Sequence, residues 1–576
     1  MDFTKKQKDI LDKNKNGLFV VKAAPGSGKT YTITKKAIDI IKNWDLSGGL
    51  ALLSFTNIAI DEMRNTFKKF DSSFEIKHPH FIGTLDSFIN NYIFLPFGHL
   101  EMGCKCRPRL VGKPFNNWVG KFYAQQQFCE IARNISGEWD RVPGSNLEKN
   151  WKSKPQILHE KKRLIKLGYA NRADAHYYAL KILKNHENIL KLLIKRFPYI
   201  ILDEAQDTSE IQMEILNTLV NYGLSNLILV GDSEQAIYEW NDSNPMLFEN
   251  KFQEWKSDSI KLTENFRCSS SICEFVSKFS HTTFVSKNDE DILEIKPIFK
   301  TYSNENTDIK TIINEFNQYC DSNKIQKDNN SRAVLFRGES FANNFKENGF
   351  QFNIYKIFPG YDLENTFTRY VVLGKYLWDL EFKSEGFNLL EKAYLMLEEN
   401  DGFVDYEQIN LSIENKGLLK HRKDILKFID GIPNVNSSTD INNWINHINS
   451  VFEWTIELKK RKNIQNSNFD GKFKDIQLDL DKYHTDCHFG TIHSVKGRSF
   501  RAVLLVLKEK AGNGKKYSKM FENYDLLKEE ELRIPYVAMT RAKEILWIAI
   551  PEQEKRAWNR KASINPNPRS IQQTLF

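Results

Sequence analysis

A glycine-rich turn near the start constrains this chain more than any other feature. The apolar run Leu18-Phe19-Val20-Val21 leads into Ala23-Ala24-Pro25-Gly26-Ser27-Gly28-Lys29-Thr30, and the helix-compatible stretch Tyr31–Ile41 follows. Strand, glycine loop and helix in that order make a phosphate cradle. Glycines let backbone N–H groups wrap the β- and γ-phosphates, and the helix N-terminus adds a favourable dipole. Lys29 would place a cation on the phosphates, and the Thr30 hydroxyl would ligate Mg2+. Such a cradle needs a parallel α/β sheet behind it, with a carboxylate at the end of a second strand. Tyr199-Ile200-Ile201-Leu202 supplies that strand and runs directly into Asp203-Glu204-Ala205-Gln206-Asp207. Asp203 would hold Mg2+ through water, and Glu204 would orient or deprotonate an attacking water.

The rest of the chain fits an α/β framework. Short apolar runs recur at Gly17–Ala24, Leu50–Phe55, Asn226–Val230, Arg332–Phe336 and Ala502–Val506, with helical stretches between them, as parallel layers require. At 576 residues the length suggests about four domains at roughly 150 residues each. Two regions break the strand–helix rhythm and read as mostly helical: roughly 88–190, and roughly 365–475, the second rich in Asn and Lys. Each reads as an insertion, because strand-like runs resume after it. The stretch Ala557–Phe576 has two prolines, several basic residues and no acid, and reads as a flexible tail.

Composition excludes some classes and leaves others open. Hydrophobic residues make up 41%, enough for large cores. No apolar run approaches the ~18 residues of a membrane span, and the start MDFTKKQKDI has no secretory apolar stretch, so a cytoplasmic protein with no membrane partner is expected. The 7 cysteines form no CxxC pair and suit reduced structural thiols. The net charge of +8 permits a nucleic-acid partner without demanding one.

Further segments carry a resemblance. Phe3-Thr4-Lys5-Lys6-Gln7, Ser54-Phe55-Thr56-Asn57 with Glu62-Met63-Arg64, Gly83-Thr84-Leu85-Asp86-Ser87-Phe88, Gly231–Tyr238, Leu262–Arg267, Gly490–Gly497 and Tyr536–Lys543 occur in the order of the motifs of superfamily 1 helicases, and the chain resembles the UvrD/Rep/PcrA group. In that group the position of Ala23 is commonly not glycine. The resemblance implies two RecA-like P-loop motor domains, each with a mostly helical inserted subdomain. They would be 1A (1–88 and 190–270), 1B (89–189), 2A (271–365 and 476–556) and 2B (366–475), followed by a tail at 557–576.

It also implies roles. Gln7 would read the adenine edge and Phe266 would stack on the base. Ala24, Gly26, Ser27, Gly28, Lys29 and Thr30 would hold the phosphates of ATP, with Mg2+ on Thr30 and Asp203. Gln235 would sense the γ-phosphate beside Glu204, and Arg267 and Arg541 would reach it from the seam. Phe55 and Trp240 would stack on bases of single-stranded or tailed duplex DNA, while Thr56, Asn57, His493 and Lys496 would contact its backbone or support its groove.

The implied activity is ATP-driven 3′→5′ translocation and unwinding of DNA, in repair, replication or phage defence. The alternative is a DNA-stimulated regulatory ATPase that controls a partner nuclease, because the compact size and the motif V form look like the helicase subunits of Gabija-type anti-phage systems. Three positions depart from the group: Asn241-Asp242 replaces Arg-Gly after Trp240, Ser499 replaces an acid, and Asp86 replaces a histidine. The end Gln572-Gln573-Thr574-Leu575-Phe576 resembles a sliding-clamp-binding peptide, with Gln572, Leu575 and Phe576 as its anchors.

Overall fold

The computed structural model describes residues 3–12, 17–72, 74, 76–111, 127–145, 147, 155–238, 242–288, 292–342, 344–345, 354–358, 363–398, 404, 406–451, 471–476 and 487–563. Two all-parallel sheets organise it. The first holds β1 (Gly17–Ala23), β2 (Leu50–Ser54), β3 (Phe81–Thr84), β4 (Tyr199–Leu202), β5 (Asn226–Gly231) and β6 (Ile260–Leu262), in the order β6-β1-β5-β4-β2-β3. The second holds β7 (Ile298–Tyr302), β8 (Arg332–Phe336), β9 (His488–Thr491), β10 (Phe500–Val506) and β11 (Ala542–Pro551), in the order β7-β11-β10-β8-β9.

The central strands are apolar on both faces because helices cover both faces, as a parallel sheet demands. Side-chain alternation then feeds two cores from each strand. Val20, Ala51 and Leu53 face one layer, with Leu85, Phe88, Tyr178 and Leu216. Phe19, Val21, Leu50 and Leu52 face the other, where Ile10, Ile33, Ile60 and Met63 pack from α1 (Lys5–Asp12), α2 (Lys29–Lys42) and α3 (Asn57–Phe70). The second sheet divides likewise: Ala333, Leu335 and Val503 to one side, Val334, Phe336 and Leu504 to the other.

Two regions were expected to be mostly helical, and they differ in how they pack. Between Ile354 and Ile476 the described helices enclose a hydrophobic core of their own. Those at Arg172–Asn185 and Glu187–Arg196 instead share the core of the first sheet, and their region also carries short strands at Arg109–Leu110, Ile131–Arg133, Trp139–Arg141 and Tyr169–Ala170. Among the described residues no helix is long and apolar enough to cross a membrane.

Candidate nucleotide site and the seam between the sheets

The carboxyl ends of β1, β4 and β5 lie side by side at the middle of the first sheet, where open parallel sheets bind ligands. The loop after β1 turns through Gly26 at φ +68° and Gly28 at φ +71°, a region that side chains rarely adopt. Space there is also limited. A Cβ on Gly26 would lie 2.8 Å from both the Arg267 Cβ and the Asn265 Oδ1, and one on Gly28 would lie 3.0 Å from the Gln7 Nε2. Gly28 caps α2 without a side-chain hydrogen bond, so the first N–H groups of that helix face the loop. The Ser27 hydroxyl is buried with no hydrogen-bond partner among the described residues. A tight backbone cradle with an orphaned hydroxyl suits phosphate oxygens.

The charged groups converge on this loop. Lys29 Nζ lies 2.5 Å from Glu204 Oε1 and 3.8 Å from Asp203 Oδ1. The Thr30 hydroxyl donates to Asp203 Oδ2 at 2.9 Å. A hydroxyl and a carboxylate side by side are hard oxygen donors of the kind Mg2+ takes alongside substrate phosphates, so these residues fit that ion. Burial pushes the Asp203 carboxyl up to about 6, against the pull of Lys29. Burial would raise Glu204 too, but Lys29 and Lys496 outweigh it and hold the group down near 2. Burial would lower the Lys29 ammonium, yet the facing carboxylates Glu204 and Asp203 raise it above its ordinary value. The sequence 203–207 thus places a readily protonated carboxyl beside one that stays ionised.

The residues expected to hold the base sit against the same loop. Gln7 is buried, accepts from the Thr4 N–H at 2.9 Å and donates to the Ser27 carbonyl at 3.1 Å. The Phe266 N–H donates to the Gly26 carbonyl at 2.8 Å. Asn265, whose role the sequence did not disclose, clamps the region. Its side chain donates to the Pro25 carbonyl and accepts from the N–H groups of Arg267 and Cys268, each at 2.8 Å.

Arginines from both sides meet at the seam between the two sheets. Arg541, between the helix α4 (Glu530–Met539) and β11, is buried and donates to the side-chain Oε1 of Gln235 and to Thr540 Oγ1. Gln235 in turn donates to Asp232 Oδ2 at 2.7 Å. Burial and the neighbouring Arg267 lower Arg541 to about 9, which still leaves it cationic at neutral pH. Arg267 donates to the Thr540 carbonyl at 3.2 Å. Arg533, also on α4, donates to the Ala236 carbonyl, and His493 donates to that of Ile237 at 3.1 Å. Burial lowers His493 to about 4, so it is neutral near pH 7.

The residues expected on the DNA side are placed as follows. Phe55 stacks on Tyr238 with ring centroids 5.9 Å apart. Thr56 caps α3 by accepting from the Ala59 N–H at 3.2 Å, and Asn57 beside it is exposed. Lys496 does not project as a free cation: it pairs with Asp207 at 2.5 Å and lies over the Tyr238 ring at 4.6 Å. Asp86 pairs with Arg172 and, at 2.9 Å, with His176, and it accepts from Gln212 at 2.8 Å. Against the effect of burial, His176 and Arg172 hold it below the usual carboxylate range. Trp240 and the terminal Gln572, Leu575 and Phe576 lie outside the described residues.

A glycine cradle on one parallel sheet, acids at the neighbouring strand ends and an arginine, Arg541, delivered from a second parallel sheet define a two-lobed P-loop nucleotide-binding protein. The UvrD/REP helicase N-terminal domain model matches residues 3–109 and 124–256, and the UvrD-like helicase C-terminal domain model matches 388–553. The chain belongs to the UvrD/Rep-like helicase family. It is similar to the Gabija protein GajB of Bacillus cereus (strain VD045), 24% identical over 94% of each chain. It is also similar to the ATP-dependent DNA helicase Rep of Buchnera aphidicola subsp. Schizaphis graminum, 26% identical over 56% of this chain and 51% of that one. DNA helicase II of Haemophilus influenzae is 25% identical over 44% of this chain and 37% of its own. The matched part therefore spans about half or less of the Rep and helicase II relatives.

Proposed function

We propose that this chain is an ATP-dependent single-stranded DNA translocase and DNA helicase, moving 3′→5′, that acts in DNA repair, replication or phage defence. The observation that carries the reading is the convergence of Arg541 and Arg267 on Gln235 and the phosphate loop. A nucleotide held there touches both lobes, so its hydrolysis changes how they meet.

Ala24 to Thr30 bind the phosphates, with Lys29 as the cation. Thr30 and Asp203 would hold Mg2+, which when bound neutralises charge on the phosphate oxygens. Glu204 accepts the proton of the attacking water. Arg267 and Arg541 stabilise charge on the transferred phosphoryl group, an effect worth about 10³–10⁵-fold in related chemistry. Gln7 and Phe266 hold the base. Phe55 and Trp240 would stack on DNA bases, each stack contributing roughly 1–3 kcal/mol, while Thr56, Asn57, His493 and Lys496 would contact the DNA backbone or support its groove. In this reading residues 1–88 and 190–270 form one motor domain, and 271–365 with 476–556 form the other. Residues 89–189 and 366–475 are the inserted accessory domains.

A second reading is a DNA-stimulated regulatory ATPase that controls a partner nuclease in an anti-phage complex. It is supported by the match to a Gabija protein over 94% of both chains. ATP turnover with and without single-stranded DNA, beside strand separation on 3′- and 5′-tailed duplexes, tests both. Stimulated turnover with unwinding from the 3′ tail supports the helicase, and stimulation without unwinding in either polarity supports the regulatory ATPase. The terminal Gln572, Leu575 and Phe576 would dock on a sliding clamp; unchanged clamp retention after deleting the last five residues would refute that.

A further inference from the structure

Gln206 is fully buried between the nucleotide site and the lobe seam, and its amide makes three contacts. The nitrogen donates to Glu204 Oε2 at 2.6 Å and to Asp207 Oδ2 at 3.3 Å, and the oxygen accepts from the Asp232 N–H at 3.0 Å. The orientation of this amide is fixed by its neighbours. A flipped amide would set its oxygen against two carboxylates and its N–H groups against a backbone N–H. The fit is close as well: a Cβ on Gly231 would lie 2.3 Å from the Gln206 Oε1.

Both carboxylate oxygens of Glu204 are thereby held, one by Lys29 and the other by Gln206. On the far side, the Asp207 oxygen that meets Gln206 is the one that pairs with Lys496 of the second lobe, and the other Asp207 oxygen is buried with no partner among the described residues. Lys496 lies over Tyr238, whose ring stacks on Phe55, so the pair borders the aromatic surface that faces DNA in the proposed function. A continuous path of contacts runs from that surface through Lys496, Asp207 and Gln206 to Glu204.

We propose that Gln206 is a positioning residue for Glu204, and that the Asp207–Lys496 ion pair is the contact through which the second lobe sets that carboxylate. The proposal rests on the ATPase reading above and names how its base is aimed. The strand's phosphates compete with Asp207 for Lys496. When the pair loosens or tightens, Asp207 moves against Gln206, and Gln206 shifts the carboxylate that takes the proton from water. A displacement of ~1 Å at a reacting group can change a rate about 10²-fold, so a small movement suffices.

The test uses the full chain and oligo-dT as the probe. Steady-state ATP turnover is measured with and without oligo-dT, together with KM for ATP and oligo-dT affinity by anisotropy. The variants are Gln206→Met, Asp207→Asn, Asp207→Glu, Lys496→Met and the Asp207→Asn/Lys496→Met double. Gln206→Met is expected to lower DNA-stimulated kcat by about 10–100-fold while KM for ATP and oligo-dT affinity stay within about threefold. The double variant is expected to lose no more stimulation than the worse single one, and Asp207→Glu is expected to recover most of it.

Stimulated turnover of Gln206→Met within twofold of the parent, or losses at 207 and 496 that multiply, would overturn the proposal. If Gln206→Met does not fold, the 207/496 comparison decides alone. A parent protein with no DNA-stimulated turnover would instead overturn the functional reading beneath it.

Discussion

Replacing Glu204 with glutamine keeps its shape and removes its charge, and the surroundings allow the consequences to be worked out. The carboxylate receives Lys29 Nζ on one oxygen and Gln206 Nε2 on the other. A glutamine has one oxygen and one NH2, so in either orientation a donor faces a donor. Gln206 cannot turn to relieve this, because its oxygen is engaged by the Asp232 N–H. The substitution thus loses one charge-assisted contact and leaves a buried conflict, costing about 1–3 kcal/mol. For a unit of 150–250 residues that lowers the melting temperature by roughly 2–4 °C per kcal/mol, a shift the folded protein can bear.

The chemical loss is larger. Removing a general base costs about 10²–10⁴-fold. Lys29 is meanwhile freed from its carboxylate, so ATP binding is retained or tightened. Phosphate release with and without oligo-dT gives the rate, and filter binding of ATP gives the affinity. A Glu204→Gln protein that turns over ATP within tenfold of the parent would show that Glu204 is not the base.

Acidification bears on the same site. Asp203 has its carboxyl raised to about 6, so it is ionised and able to serve Mg2+ above that pH and is protonated below it. The kcat/KM for ATP should fall as pH drops through about 6, and a profile flat from pH 8 to 5 would contradict the assignment. Arg541→Lys keeps the charge but not the planar guanidinium whose Nη2 donates to Gln235 and Thr540 while its Nε donates to the Val537 carbonyl, and should lower kcat by about 10³-fold with little change in ATP affinity measured by filter binding. Gly231→Ala drives a methyl into the Gln206 Oε1 and should lower turnover without changing oligo-dT affinity, as anisotropy would show. Binding to oligo-dT should weaken steadily between 50 and 200 mM salt, since each phosphate contact releases counterions; an affinity indifferent to salt would argue against a phosphate-gripping groove.

The sequence makes the buried centre of the fold legible and its edges less so. Leu50–Ser54, Tyr199–Leu202, Asn226–Gly231 and Arg332–Phe336 match their apolar runs to within a residue, because strands covered on both faces must be apolar throughout. Phe81–Thr84 and His488–Thr491 lie at sheet edges, are largely half-buried and contain glycine, so no apolar run announces them. At the site, the cradle and the acids after β4 are contiguous segments and could be read directly. The Lys496–Asp207 pair joins residues 289 apart, and nothing near either residue signals the other. Gln206 and Asn265 were visible only as letters inside motifs, since their function lies in which atoms they bridge.

Three consecutive residues of the first lobe, Gln235, Ala236 and Ile237, are each gripped by a different side chain of the second: Arg541, Arg533 and His493. Adjacent residues on one stretch of backbone cannot separate from their partners independently. Parting the lobes therefore breaks all three contacts in one event and leaves two arginine partners to be resolvated together. Such a joint resists small thermal fluctuations and yields as a unit. The lobes can then occupy distinct settings rather than a continuum.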